Sequence, residues 1–143
     1  MTVYTAGPRG QCWYGEAIGI LILNACYPCV PGNVGNATTF SYPVRYKVVS
    51  EASIDGLLRH PDTGLLEAFV RAAQQLEQEG VRAITGACGF MAIFQRQVAE
   101  AVRIPVFLSS LLQVPLVRRI LAPDRKIGII TAESRCLQSE HLQ

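Results

Sequence analysis

The alternation of short apolar runs with helix-like patterns constrains the fold of this chain more than any other feature. Residues 17–23 form a continuous apolar run rich in β-branched side chains. This pattern is typical of a strand that is buried on both faces of a parallel sheet. Shorter strands are predicted over 44–49, 81–85, 104–108 and 126–131.

The segments between these runs have the periodicity of amphipathic helices. Between residues 62 and 79 apolar side chains recur at i, i+3 and i+4 spacing, and Gly80 follows as a helix stop. Further helices are predicted over 90–102 and from Ser109 or Ser110 to about residue 121. Because strands and helices alternate, we predict an α/β fold with a parallel sheet flanked by helices.

Length and composition limit the class of protein. A chain of 143 residues fits one domain, and 50% apolar residues predict a packed core rather than disorder. We expect residues 1–16 to form an irregular segment and residues 17–143 to form one α/β lobe. A net charge of +2 without a Lys/Arg-rich run argues against a nucleic-acid partner.

Membrane association is also not expected. The run over 17–23 is much shorter than the roughly 20 residues that span a bilayer. The N-terminus lacks the apolar centre and the cleavage pattern of a signal peptide. We therefore expect a cytoplasmic protein with no membrane partner.

The cysteines are typical of a reduced protein rather than of a disulfide scaffold, because their number is odd and no export signal accompanies them. They are Cys12, Cys26, Cys29, Cys88 and Cys136. Cys26 and Cys29 form a C-x-x-C in a predicted loop, but the Val-Pro-Gly that follows blocks the helix of a redox motif. Neither His60 nor His141 belongs to a second metal-binding pair, so no metal site is expected.

Cys88 is the main candidate for chemistry. It follows the predicted strand 81–85 and stands between Gly86 and Gly89, where the next helix begins. Open α/β folds bind ligands at this edge of the sheet, and helix amides there are expected to lower the pKa of a thiol. The alternative is a buried structural cysteine. The turn also resembles a nucleophile elbow, except that Phe90 stands where the closing glycine belongs.

Two further segments offer groups for a polar ligand. Ser109 and Ser110 follow the strand 104–108 and precede a helix, which suits a carboxylate or phosphate, although an ordinary N-cap is the alternative. Residues 31–36 are rich in glycine and asparagine and can line a pocket. They lack the P-loop Lys-Ser/Thr pair and the G-x-G-x-x-G pattern, which argues against a nucleotide.

Six segments occur in a characteristic order. They are Gly19-Ile-Leu-Ile-Leu, Pro31-Gly-Asn-Val-Gly-Asn, Tyr42-Pro-Val-Arg-Tyr, Thr85-Gly-Ala-Cys-Gly-Phe, Pro105-Val-Phe-Leu-Ser-Ser-Leu-Leu-Gln and Lys126-Ile-Gly-Ile-Ile-Thr-Ala. Together they resemble the aspartate/glutamate racemase superfamily, in the branch near hydantoin racemases. This resemblance implies two similar α/β lobes with an active site between them. The chain would be the N-terminal lobe, truncated before the second.

The resemblance also implies an activity and the residues that carry it. Members act without a cofactor on carbon acids next to a carboxylate or carbonyl, and Cys88 matches the first-lobe cysteine that transfers the α-proton. Without a cofactor, donors at the carboxylate and exclusion of water must stabilise the carbanion. The residues implied in substrate binding are Thr85, Gly89, Phe90, Ser109, Ser110, Asn36 and Thr38.

The resemblance thus implies an isomerase, a cofactor-independent racemase or similar isomerase of amino acids or related carbon acids. Its expected partner is a small-molecule carboxylate substrate, and a homo-oligomer stays open. Because two-base racemisation needs groups on opposite faces of the substrate, a lone lobe would need another chain. Two alternatives remain: a catalytically inactive lobe that acts as a binding or assembly module, and a Cys-dependent hydrolase with a histidine near Cys88.

Overall fold

A four-stranded parallel sheet forms the centre of the fold. The computed structural model describes residues 7, 10–59, 61 and 63–142, except for the side chain of Thr63. Across the sheet the strand order is β2-β1-β3-β4. The strands are β1 (Ile18–Leu23), β2 (Val44–Val49), β3 (Ala83–Gly86) and β4 (Val106–Phe107). The predicted α/β fold with a parallel sheet is confirmed.

Helices connect the strands and cover the sheet. They are α1 (Ile54–Arg59), α2 (Thr63–Gln78), α3 (Gln95–Ala101) and α4 (Val114–Ile120). Short 3-10 segments span Ala37–Thr39, Gly89–Phe94, Ser110–Gln113, Ser134–Cys136 and Ser139–Leu142. Among the described residues, none of the helices has both the length and the apolarity that crossing a bilayer requires.

Helix α2 supplies much of the core. Phe69, Ala73 and Leu76 are fully buried in one cluster with residues of β1 and β3. The helix ends where the sequence predicts, because Gly80 adopts a φ of +90°. Its amide donates to the carbonyl of Glu77, and the amide of Val81 donates to that of Leu76. This pair of bonds is the Schellman motif, which satisfies carbonyls at a helix end.

Two predicted helices begin as 3-10 segments. The predicted helix over 90–102 is a 3-10 turn over Gly89–Phe94 followed by α3. The helix predicted after Ser109 begins over Ser110–Gln113 and continues as α4, with Pro115 in its first turn. Such 3-10 turns are common at helix N-termini, and helical periodicity does not distinguish them from α-helix over so few residues.

The prediction of a strand over 126–131 is wrong. This segment has no strand structure, and Ile130 is completely exposed. The physical reason lies in the edge of the sheet. Strand β4 pairs with β3 through Val106 and Phe107 only, so it offers too short a ladder for a further parallel strand. An apolar run alone therefore did not suffice to extend the sheet.

Candidate functional site

A cleft of about 350 Å³ opens at the carboxyl ends of β3 and β4. Its position agrees with the rule that ligands of open α/β sheets bind at this edge. Five of the predicted site residues line it together: Thr85, Cys88, Gly89, Ser109 and Ser110. The other lining residues are Val34, Gly86, Ala87, Phe107 and Gln113.

Cys88 ends the turn after β3 and precedes the 3-10 segment Gly89–Phe94. Its backbone is extended, and its carbonyl accepts the amide of Met91 at 3.0 Å. Burial raises the pKa of the Cys88 thiol, while the backbone amides of Phe90 and Met91 act in the opposite direction. The expectation of a lowered pKa is therefore wrong, because loss of water around the sulfur outweighs the two amides. At neutral pH the group is a thiol.

The end of β3 is fixed to β4 by close backbone packing. Thr85 Oγ1 donates to the carbonyl of Phe107 at 2.8 Å. A Cβ on Gly86 would contact the carbonyl oxygen of Leu108 and lie 2.7 Å from Met91 Sδ. Only glycine fits here, and the close approach brings the two strand ends together at the cleft.

Gln95 of α3 extends the short strand β4. Its Nε2 donates to the carbonyl of Val106 at 2.9 Å, and its Oε1 accepts the amide of Leu108 at 2.8 Å. The amide side chain therefore replaces backbone partners that a longer neighbouring strand would supply. Because Leu108 immediately precedes Ser109, these bonds position the serines of the cleft.

Ser109 is buried and caps the segment Ser110–Gln113. Its Oγ accepts the amide of Leu111 at 3.1 Å, so the N-cap that the sequence suggested is present. An ideal Cβ on Gly89 would lie 3.8 Å from this hydroxyl. The serine oxygen therefore lies beside the residue that follows Cys88.

Three predicted site residues do not belong to the lining of the cleft. Asn36 organises its own loop: Oδ1 accepts both the amide and the hydroxyl of Thr38, and Nδ2 donates to the carbonyl of Cys29 at 2.8 Å. Phe90 is buried, with its ring centroid 5.3 Å from that of His141. Substrate binding by Asn36, Thr38 and Phe90 stays a prediction.

The histidines do not strengthen the hydrolase alternative. His141 is buried edge-on against Phe90, and its Nδ1 accepts the amide of Gln138 at 3.2 Å. His60 lies outside the described residues.

Five lining residues were not named individually as candidates from the sequence, although signals for them were present. Gly86, Ala87, Phe107 and Gln113 all lie in the segments that carry the family resemblance. Gln113 is three residues after Ser110, which places both on one side of a helical turn. Val34 belongs to the glycine-rich stretch 31–36, and the hydroxyl of Tyr46 donates to its carbonyl at 3.0 Å.

A second cavity of about 430 Å³ lies between β2 and α2. Glu51 and Arg71 line it and form an ion pair at 2.8 Å, with both side chains 55% exposed. Its described lining contains no cysteine or histidine. Across the described part of the chain, no three or more His, Cys, Asp or Glu residues group to hold a metal ion.

Comparison with known proteins finds lyases among the relatives. No protein-family model matches. Dimethylsulfoniopropionate lyases 3 and 6 of Emiliania huxleyi (strain CCMP1516) are each 35% identical over 126 residues, which is 85% of this chain and 32% of theirs. The dimethylsulfoniopropionate lyase of Durusdinium sp. clade D is 32% identical over 130 residues, 87% of this chain and 42% of that protein.

A solved structure gives a weaker likeness. An aspartate racemase homologue from Pyrococcus horikoshii OT3 superposes with a TM-score of 0.42 and 17% identity, covering 73% of this chain and 50% of that one. The resemblance to the aspartate/glutamate racemase superfamily is confirmed only for the coarse α/β architecture.

The names of the relatives contradict the predicted function. The sequence suggested an isomerase that racemises amino acids, whereas the curated relatives are named lyases. The prediction of a racemase is therefore wrong. The chain spans about a third of the length of the first two relatives, 32% of each. It is thus similar, over most of its own length, to one part of dimethylsulfoniopropionate lyases.

Proposed function

We propose that this chain takes part in a lyase reaction on dimethylsulfoniopropionate or a closely similar sulfonium carboxylate. The observation that carries the proposal is the place of Cys88. A partly buried thiol lines a cleft at the carboxyl edge of the sheet, within a chain that is 35% identical to lyases over 85% of its length.

The reaction follows from the chemistry of the substrate. The base removes a proton from the carbon next to the carboxylate, and the electron pair forms a double bond to the neighbouring carbon. The carbon–sulfur bond breaks, and its electrons leave with neutral dimethyl sulfide. Acrylate remains, and the proton stays on the base. In this proposal the base is the thiolate form of Cys88, whose own proton has first passed to water.

The polar side of the cleft suits the carboxylate. Ser109 and Ser110 supply hydroxyl groups and Gln113 supplies an amide, all within the lining of the cleft. Hydrogen bonds to the carboxylate favour removal of the adjacent proton, because they stabilise the negative charge that develops on its oxygens. Thr85 and Gly89 complete the surface around the thiol.

One thiol is enough for this chemistry. Racemisation requires a proton donor on the face opposite to the base, whereas elimination requires one base and a leaving group. The proposal therefore needs no second cysteine from this chain.

A homo-oligomer and a cytoplasmic location remain parts of the proposal. The five cysteines are free, which is in keeping with a reducing compartment: Cys12, Cys26, Cys29, Cys88 and Cys136.

The test is release of dimethyl sulfide by the purified chain. Incubation with dimethylsulfoniopropionate in sealed vials, followed by gas chromatography, should show release above the rate without protein. Cys88→Ser should lower the rate by about 100-fold or more, the usual contribution of a general base. Cys12→Ser is the matched control, because Cys12 is exposed and does not line the cleft.

A second measurement isolates the proton transfer. In deuterated water, proton abstraction that reverses before elimination places deuterium next to the carboxylate, and mass spectrometry detects it. A chain that neither releases dimethyl sulfide nor incorporates deuterium would contradict the proposal. A Cys88→Ser variant as fast as the original would remove Cys88 from its assigned role.

A further inference from the structure

We infer that the cleft selects substrates with a fixed positive charge, and that the substrate's own cation, rather than a basic side chain, converts Cys88 to its thiolate. The inference rests on the proposed function, because a sulfonium is such a cation. It goes further by stating which part of the substrate activates the base and which side chain recognises it.

The lining of the cleft carries no formal charge. Among the residues that the structure describes, those around the cleft are apolar, hydroxyl, amide or thiol residues. This set contains no lysine, arginine or histidine that could stabilise a thiolate, and no carboxylate that could bind a cation. Within the described part of the chain, no side chain of the cleft lining therefore supplies a positive charge for a thiolate.

Neighbouring elements carry ionisable groups, but most are paired with each other. Those on the helices and 3-10 segment packed against Gly89–Phe94 are Asp55, Arg59, Arg96, Glu100, Glu140 and His141. Asp55 and Arg59 form an ion pair at 2.8 Å, and Arg96 and Glu100 form one at 2.9 Å. The pKa of Cys88 responds to burial and to two backbone amides, not to these side chains.

Phe107 offers a surface for an onium group. It lines the cleft, is 50% exposed, and lies in register with Thr85 on the adjacent strand. The face of an aromatic ring attracts methylated cations, and aromatic surfaces are the usual way in which proteins recognise quaternary ammonium groups. A large apolar side chain that remains half exposed in the same cleft as a partly buried thiol is suited to this role.

The geometry of the substrate places its cation close to the thiol of Cys88. In a β-sulfonium carboxylate the sulfur is two bonds from the carbon that loses the proton. A thiol placed to take that proton is therefore close to the cation. An opposite charge within about 4–6 Å lowers the pKa of an acid by about 1–3. Without ligand, burial keeps Cys88 protonated. A bound cation favours the thiolate, and the thiol proton passes to solvent water as the ligand binds.

Two ligands of nearly equal shape test this inference. In 3-(trimethylammonio)propanoate the quaternary nitrogen carries the charge and is a poor leaving group. In 4,4-dimethylpentanoate a carbon replaces the nitrogen, and the cation is absent. The probe is the chain labelled with ¹³C at cysteine Cβ, whose chemical shift reports thiol or thiolate, with Cys88 assigned through Cys88→Ser.

At saturation, 3-(trimethylammonio)propanoate should give Cys88 a titration midpoint lower by about one pH unit or more than the carbon analogue does, because both ligands carry the carboxylate and only the first carries the cation. The carbon analogue should leave the midpoint unchanged or raise it, and the exposed Cys12 should not respond to either ligand. Phe107→Leu should weaken binding of the cationic ligand several-fold, with little change for the carbon analogue. Circular dichroism verifies that the variant is folded.

Equal effects of the two ligands on Cys88 would overturn the inference, and so would a failure of both to bind. The proposed function is judged separately by release of dimethyl sulfide. If dimethyl sulfide is released but the titration midpoint of Cys88 shows no charge-specific shift, the inference is wrong and the proposed function stands. A charge-specific shift without release rejects the function and supports recognition of a cation by the cleft.

Discussion

At the scale of single residues, the ionisation of Cys88 links the cleft to stability. Burial raises the pKa of this thiol in the folded protein above its ordinary value of 9.0. A group whose pKa is higher in the folded state stabilises the fold below its unfolded pKa, and this contribution is lost as the pH rises through the folded pKa. Alkaline pH should therefore destabilise the protein partly through Cys88.

The prediction compares the pH dependence of stability in the original chain and in the Cys88→Ser variant. From neutral pH to about pH 10.5, the free energy of unfolding should fall more steeply for the original chain than for Cys88→Ser, because serine does not titrate in this range. Urea unfolding at each pH measures it. Other groups, such as Tyr46, titrate in both proteins and cancel in the difference. Parallel curves would show that Cys88 has the same pKa folded and unfolded.

Cys88 also shows how far sequence reasoning reaches at this scale. Its place after a strand and before a helical turn could be predicted, because the apolar run and the flanking glycines are local. The direction of its pKa shift could not. That direction depends on how many atoms from other elements exclude water from the sulfur, and this is a property of the packed core.

At the scale of elements, the shortest strand depends on a side chain. Strand β4 contains two residues. Gln95 donates to the carbonyl of its first residue, Val106, and accepts the amide of Leu108, which follows the strand. These bonds hold the start of the segment with Ser109 and Ser110. Gln95 is thus a positioning residue for the cleft rather than a catalytic one.

We expect Gln95→Ala to lower the free energy of unfolding by about 2 kcal/mol, since two hydrogen bonds are lost and their backbone partners lie partly buried. Release of dimethyl sulfide should fall as well, mainly through kcat. Gln97→Ala on the same helix is the control, because Gln97 is exposed. Chemical denaturation and the gas assay measure the two effects. Equal stability of the two variants would mean that β4 does not require Gln95.

Elements differed in how well the sequence predicted them. Helix α2 was predicted almost to its ends, because 16 residues give a clear apolar stripe and Gly80 marks the stop. The 3-10 segments before α3 and α4 were not distinguished from α-helix, and α1 was not predicted. Segments of about six residues contain too few turns for periodicity to decide.

At the scale of the whole molecule, packing is uneven. Ile20 and Leu21 of β1 are completely buried, and α2 covers this part of the sheet. After β4 the apolar side chains are much more exposed to solvent. Leu116 is 63% exposed, Ile120 is 73% exposed and Ile130 is fully exposed. The wrong strand prediction over 126–131 belongs here, because whether an apolar run becomes a strand depends on a neighbour with enough free edge.

This unevenness predicts a gradient of hydrogen exchange. Amides of β1 should exchange only through global unfolding, since the strand is paired on both sides with β2 and β3. Amides over 126–131 take part in no sheet ladder of the described structure and should exchange through local opening, many-fold faster. Exchange followed by mass spectrometry at peptide resolution measures both, with α2 as a helical reference. Protection of 126–131 equal to that of β1 would show that the segment pairs as a strand in solution. Repeating the experiment at higher protein concentration then separates pairing within one chain from pairing between copies, because only the second depends on concentration.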